Sequence, residues 1–471
     1  MLTHRDEGYP FNLYIPGIIL ISLLTAWGIV QLSPSTSMFL VVLLALFVVG
    51  FLKTEWALYL LIFSMLLSPE IVLGSLSHGT AVESSRSLVI RLDDVLVLII
   101  SLGWLAKSAI YKELGLFLKT PLNKPIVGYV TVCLFSTLLG ILFDRVRDKL
   151  GLLYVVKYIE YFFIYFIVVN NLHSRNQVKR YLVAILLTCV IVCVIALLQV
   201  PEGKRVTAPF EGAVGEPNTF GGYLALIFSV VLGLCFSLRS PNKILALAAM
   251  AVMIMVAFAF TLSRSSWIAL VPMWLTLLVF CKKKEALIIA TVLVVITSAL
   301  VLPAQVEERI SYTFQKHSRD SLEIGGISFD PSTSARIKSW KNVLQDIKNH
   351  PLMGFGITGY SFVDSQYFRT LIETGFVGLL AFLGLLLAIF RQIMRNLTQV
   401  KSPLFYGLEL GMLAGIVAIY THAIGANSFI IVRIMEPFWF LLAIAVVLPE
   451  IERQEAEGNT GTELKRMFPY R

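Results

Sequence analysis

The stretch from Gly354 to Leu380, "GFGITGYSFVDSQYFRTLIETGFVGLL", passes from a polar segment into an apolar run long enough to cross a membrane. Asp364, Gln366, Arg369 and Glu373 lie where that run begins. Ionisable groups in a bilayer are costly and as a rule face a cavity, a partner or a substrate. Their meaning depends on which side of the membrane the stretch faces.

Composition settles that there is a membrane. The chain has 471 residues, of which 57% are apolar and 15% charged, with a mean hydropathy of +0.79. A water-soluble fold could hardly hide that much apolar surface, so an all-α, polytopic membrane protein is expected. Its net charge of +9 fits topology and anionic lipid headgroups better than nucleic acid, which is not expected as a partner. Cys133, Cys189, Cys193, Cys235 and Cys281 all fall in or at the ends of apolar runs and read as small core residues. The N-terminal "MLTHRDEGYPFN" carries both charge signs and precedes a long apolar run without a small-residue cleavage site, so the first helix is expected to remain as an anchor.

Runs of about 17 to 25 apolar residues span a bilayer as helices, which satisfy their own backbone hydrogen bonds where water is absent. About fourteen spans are expected, with cores near 12–31, 37–52, 56–74, 93–111, 125–143, 152–171, 181–200, 219–238, 243–262, 266–281, 286–303, 367–390, 404–424 and 430–449. With the N-terminus in the cytoplasm, Lys53, Lys107, Lys124, Arg175, Lys179, Arg180, Arg239, Lys243, Lys282 to Lys284, Arg391, Arg395, Lys401 and the C-terminal tail all lie inside, as the positive-inside rule asks. The loops at 75–92, 144–151 and 201–218 then lie outside. The organisation expected is N-terminal spans over 1–203, central spans over 204–303, a large extracytoplasmic loop over 304–366, C-terminal spans over 367–450 and a cytoplasmic tail over 451–471.

In that loop, "SARIKSWKNVLQDIKNHPLMGFG" follows a Ser/Thr-rich cap context at Pro331 to Ser334. It sets Ile337, Trp340, Val343, Leu344 and Ile347 at helical spacing, and Pro351 and Gly354 end it. An amphipathic helix on the outer membrane surface is expected. His350 at its end reads as a structural cation at a helix C-terminus.

Several external charges resist a purely solvated reading. Arg205 sits in a Gly/Pro-rich turn before Pro217-Asn218 opens a helix, and Arg264 lies in the short turn "TLSRSS" on the side where basic residues are disfavoured. Arg309, Lys316, Arg319, Arg336, Lys338 and Lys341, with Arg145, Arg147 and Lys149, add further positive charge. Converging arginines would bind phosphate, because guanidinium pairs bidentately with its oxygens and keeps its proton. Asp364 suits a helix N-cap, Arg369 and Glu373 stand four apart and can pair, and Gly354, Gly356, Gly359, Gly375 and Gly378 suggest close backbone approach. The chain has no HExxH, Walker A or GxSxG motif, and neither metal nor other cofactor is expected.

"RVTAPFEGAVGEPNTFGGYL", "TLSRSSWIAL" and "RIKSWKNVLQDIKNHPLMGFG" running into "VDSQYFRTLIETGFVGLL" together resemble the O-antigen ligase and polymerase superfamily, over roughly 204–380. The resemblance implies a metal-independent glycosyltransferase of the GT-C type in the bacterial cytoplasmic membrane, both termini inside. It would take glycan from an undecaprenyl-diphosphate carrier and pass it to an acceptor sugar, among membrane lipids and alongside polysaccharide export proteins. By the same resemblance, Arg205 and Arg264 match arginines that hold the diphosphate and Arg336 matches the substrate-binding arginine of the outer loop, with Arg264 and Asp364 as the catalytic pair. Asn218, Gln366, Tyr367, Arg369 and Glu373 would line the substrate site. Asp364 stands where lipid A-core ligases carry a histidine, which favours a polymerase of O-antigen or exopolysaccharide. A ligase delivering glycan to a lipid or protein acceptor is the alternative, and a lipid-linked oligosaccharide flippase is the rival of another class.

Overall fold

The computed structural model describes residues 44–72, 89–110, 120–146, 148–211, 215–301 and 330–467, together with 308, 311, 323–324 and 327–328. The expected first span at 12–31, residues 37–43 of the second, most of the 75–92 loop, and Arg147, Arg309, Lys316 and Arg319 lie outside the described residues. Helices dominate: α1 (Thr54–Leu67), α2 (Leu92–Ile110), α3 (Asn123–Leu142), α4 (Asp148–Asn171), α5 (Arg175–Leu197), α6 (Pro217–Ser237), α7 (Pro241–Phe260), α8 (Arg264–Phe280), α9 (Lys284–Val301), α10 (Pro331–Asp346), α11 (Gln366–Gln399), α12 (Pro403–Gly425) and α13 (Val432–Met467). Two short antiparallel ladders qualify the all-helical expectation: Glu70–Val72 pairs with Val89–Arg91, and Glu323–Ile324 with Ile327–Ser328.

Among the described residues, eight helices are long and apolar enough to cross a membrane, so the chain is a multi-pass membrane protein. α1 and α8 are shorter apolar helices. Thr54–Leu67 and Arg264–Phe280 have 14 and 17 residues, below the roughly 20 that span a hydrocarbon core without help.

α6 and α12 form the centre, and they meet through small residues. A Cβ on Gly233 would fall 2.3 Å from the Gly407 carbonyl, one on Gly411 2.6 Å from the Val230 Cα, and one on Gly415 2.6 Å from the Ser229 hydroxyl. Lipid provides no hydrophobic drive between helices, so close backbone packing of this kind holds them. α8 packs on α12, α4 on α13, and α3 on α11. Arg433, near the start of α13, is buried and donates to the carbonyls of Leu66, Pro209 and Phe210, which ties the 206–211 segment to the end of α1.

The opening stretch has an unusual backbone. Gly375 interrupts α11 with φ +69 and ψ −171, a conformation that costs an L side chain dearly. The interruption frees carbonyls of the preceding turn, and the 351–356 loop supplies amides to them: Phe355 donates to Ile372 (2.9 Å) and Gly356 to Glu373 (2.8 Å). In return Phe376 donates to the Pro351 carbonyl at 2.8 Å. The loop can come this near because a Cβ on Gly354 would sit 2.6 Å from the Glu373 carbonyl.

α10 has the expected apolar spacing but a different partner. Val343 and Ile347 are buried with Val363, Leu371 and Ile372, and Trp340 stacks on Phe368 with ring centroids 5.1 Å apart. Part of its apolar face therefore packs on the start of α11, a partner the expectation of a membrane-surface helix did not include, while Leu344 stays exposed. Periodicity reports that a face is apolar, not what covers it.

Candidate functional site

Four helices begin in one neighbourhood: Arg264 opens α8, Arg336 lies in the second turn of α10, and Arg205 sits in the segment that leads to α6. The 205–206 segment runs along the end of α7, whose last carbonyls have no partner within the helix. Val206 donates to Phe260, and Arg205 uses Nε on the Thr261 carbonyl (2.9 Å) and Nη2 on that of Leu262 (3.3 Å). The same Nη2 lies 3.5 Å from Oδ1 of Asn218, in the first turn of α6. Leu262 takes a left-handed φ of 50°, so the α7–α8 turn is tight and Arg264 opens α8 directly beside Arg205's anchor.

Arg264 is clamped to Asp330. Its Nη2 donates to Oδ1 at 3.1 Å and its Nη1 to Oδ2, with the carboxylate 1% and the guanidinium side chain 16% exposed. Asp330 is also the N-cap of α10, accepting from the Ser332 amide at 3.0 Å and the Thr333 hydroxyl at 2.7 Å. Burial pushes its carboxyl up, but hydrogen bonds from Arg264 and Thr333 and the Arg264 charge outweigh this and hold its pKa at about 2. One carboxylate thus fixes the arginine of one helix and the first turn of another.

Arg336, in the second turn of α10, donates from Nε to Oδ2 of Asp364 at 3.3 Å. Trp340 holds the Asp364 carbonyl from the same helix at 3.0 Å. The Asp364 side chain is 39% exposed, so it is open to a reactant as the other site carboxylate is not. Asp364 precedes α11 by two residues, and Ser365 occupies the N-cap position without a side-chain bond.

The two arginine pairs share a wall. A Cβ on Gly425 would lie 3.1 Å from the Ser265 Cβ and 3.9 Å from Nη1 of Arg336, and one on Gly221 would meet the Ser266 hydroxyl at 2.3 Å. Ser263 and Ser266 hydroxyls are 2.7 Å apart at the mouth of α8. Arg205, Asn218, Arg264, Arg336 and Asp364 are therefore brought to one place. The starts of α6, α8, α10 and α11 add the positive ends of helix dipoles, a setting that favours an anion.

The remaining expected site residues have structural partners. Gln366 accepts from the Phe429 amide (3.2 Å) and its own amide donates to Ala426. The Tyr367 hydroxyl donates to the Tyr420 carbonyl at 2.8 Å. Arg369 and Glu373 pair at 3.2 Å, each 5% exposed, beside Tyr158 of α4, and Glu373 also accepts from the Thr358 amide. His350 sets its ring edge-on to Phe355, and burial together with Arg145 lowers its pKa. That favours the neutral form and corrects its reading as a cation at a helix end.

Sequence reasoning did not single out Asp330 and gave His422 no role. An Asp before Pro331 is an ordinary cap signal, but its bond to Arg264 across 66 positions leaves no local trace. Among the described residues, no three His, Cys, Asp or Glu side chains cluster as a metal would require.

Residues 248–383 match a family model described as O-antigen ligase. The match runs from α7 into α11 and includes Arg264, Asp330, Arg336 and Asp364; Arg205 and Asn218 precede it, and His422 follows it. It supports the resemblance to the O-antigen ligase and polymerase superfamily. No curated protein matches the chain.

Proposed function

We propose, for a chain whose residues 248–383 resemble O-antigen ligase, that it polymerises carrier-linked oligosaccharide repeat units into O-antigen or exopolysaccharide at the outer face of the bacterial cytoplasmic membrane. The observation that carries this reading is the Arg336–Asp364 pair standing beside Arg264 where four helix N-termini converge. A donor diphosphate would lodge there, its oxygens competing with the two carboxylates for guanidinium. Asp364 then becomes available as a base. It removes the proton of an acceptor hydroxyl as that oxygen bonds to the donor's anomeric carbon, the carbon–oxygen bond to the diphosphate breaks, and the leaving diphosphate keeps the electron pair. Arg205, Arg264 and Arg336 stabilise that developing charge.

A ligase is the second reading, favoured by the description of the matching family model. The carboxylate at 364, where the ligases resembled carry histidine, favours the polymerase. Deleting the gene and complementing with wild type or with Arg205→Ala, Arg264→Ala or Asp364→Ala separates them on glycan gels. Single repeat units on the carrier in the null indicate a polymerase; long chains stranded on the carrier indicate a ligase. Normal glycan from the well-expressed arginine variants would overturn the diphosphate site.

A further inference from the structure

His422 lies in the last turn of α12, fully buried. Its Nδ1 is 2.7 Å from the Ser428 hydroxyl, which fixes the plane of the ring, and Nε2 has no side-chain partner among the described residues. The ring fills space left by a glycine of α6: a Cβ on Gly222 would come 3.0 Å from Cε1. The main chain of Asn218 and the charge of Arg336 act on the imidazole from the site side. One turn on, Gly425 lies against Arg336 and Ser265, as described above. The end of α12 is thus the wall behind Arg336, and its C-terminal dipole suits a cation there.

We propose that His422 is a positioning residue of this site, holding the end of α12 against the start of α6 so that Arg336 is set to receive the donor diphosphate. The inference rests on the reading of Arg336 as a diphosphate contact. A small side chain at 422 leaves an imidazole-sized void and a buried Ser428 hydroxyl without its partner, and the wall behind Arg336 can shift into it. Donor binding weakens, while Asp364, held from α10 by Trp340, keeps its place. His422 acts through Arg336, so the two substitutions must not add.

The test is a double-mutant cycle on the full-length protein in nanodiscs, using carrier-linked repeat units extracted from the deletion host as donor. His422→Ala is expected to raise the donor KM about tenfold with kcat within about threefold, a coupling of the size contacting residues show. His422→Gln, which can still bond Ser428, recovers most of the loss, and Ser428→Ala raises KM in the same direction. Arg336→Ala/His422→Ala has a KM no higher than Arg336→Ala alone. If Arg336→Ala raises KM but well-folded His422→Gln and Ser428→Ala leave it unchanged and His422→Ala does too, the His422 inference alone fails. Multiplicative effects in the double variant overturn it as well. If Arg336→Ala itself leaves KM unchanged, the donor-site reading fails and takes this inference with it.

Discussion

Arg264, the first residue of α8, holds Asp330, the N-cap of α10, with both guanidinium ends of the fork. This one carboxylate joins a membrane helix to the helix that carries Arg336. Asp330→Ala removes the ion pair and the cap together. Losing a cap costs about 1 kcal/mol, and stranding one partner of a buried pair roughly 3–5 kcal/mol, with Arg264's partial exposure pulling toward the lower end. Asp330→Asn keeps much of the cap and is expected to lose less. Thermal melts in detergent should rank wild type above Asn above Ala; equal melting temperatures for all three would contradict the linkage.

The same residue sets an acid limit. Its folded pKa of about 2 lies below the ordinary Asp value of about 3.9, so the folded state binds this proton more weakly than the unfolded chain. The stabilisation is complete above about pH 4 and disappears as pH falls through about 2. The gap in melting temperature between wild type and Asp330→Asn should be constant from pH 7 down to about 4 and close below that. A gap that closed between pH 7 and 5 would point to another group.

Asp364 and Arg264 are expected to separate by kinetic signature. Asp364→Asn removes a base and should lower kcat by roughly 10²–10⁴-fold with a smaller change in donor KM. Arg264→Lys keeps charge but loses the fork, and is not expected to restore activity. Turnover of carrier-linked repeat units by purified variants provides the check, and a fully active Asp364→Asn would remove Asp364 from the chemistry.

Gly375→Ala should be severe where Gly384→Ala is mild, though both lie in α11. At 375 a Cβ would fall 2.2 Å from the Leu352 carbonyl on a backbone with φ +69, whereas at 384 nothing lies within 4 Å. Backbone strain of this kind costs about 1–3 kcal/mol before the clash is counted. The ordinary helical position gains up to about 1 kcal/mol from Ala. Monodisperse yield and melting temperature of the two variants make the comparison.

Orientation can be read by labelling intact cells with a membrane-impermeant maleimide. The native cysteines are buried, except for the half-buried Cys235, so background should be low. Lys341→Cys on exposed α10 surface should label, and Arg395→Cys near the far end of α11 should label only after permeabilisation. The reverse pattern would place the site in the cytoplasm.

The sequence by itself determined the membrane class, the positions of several helices and a local pairing. The expected cores at 125–143, 219–238 and 404–424 fall on Asn123–Leu142, Pro217–Ser237 and Pro403–Gly425, because an apolar run in lipid has no low-energy alternative to a helix. The Arg369–Glu373 pair was legible for the related reason that residues four apart share a helix face. Tertiary structure alone decided what lies beyond one helix. It set α10 against α11, joined Arg264 to Asp330, and put the end of α12, which carries His422, beside Arg336. Those relationships depend on where separate helices pack, and side-chain volume, close glycine contacts and long-range ion pairs specify that only when the whole chain is folded.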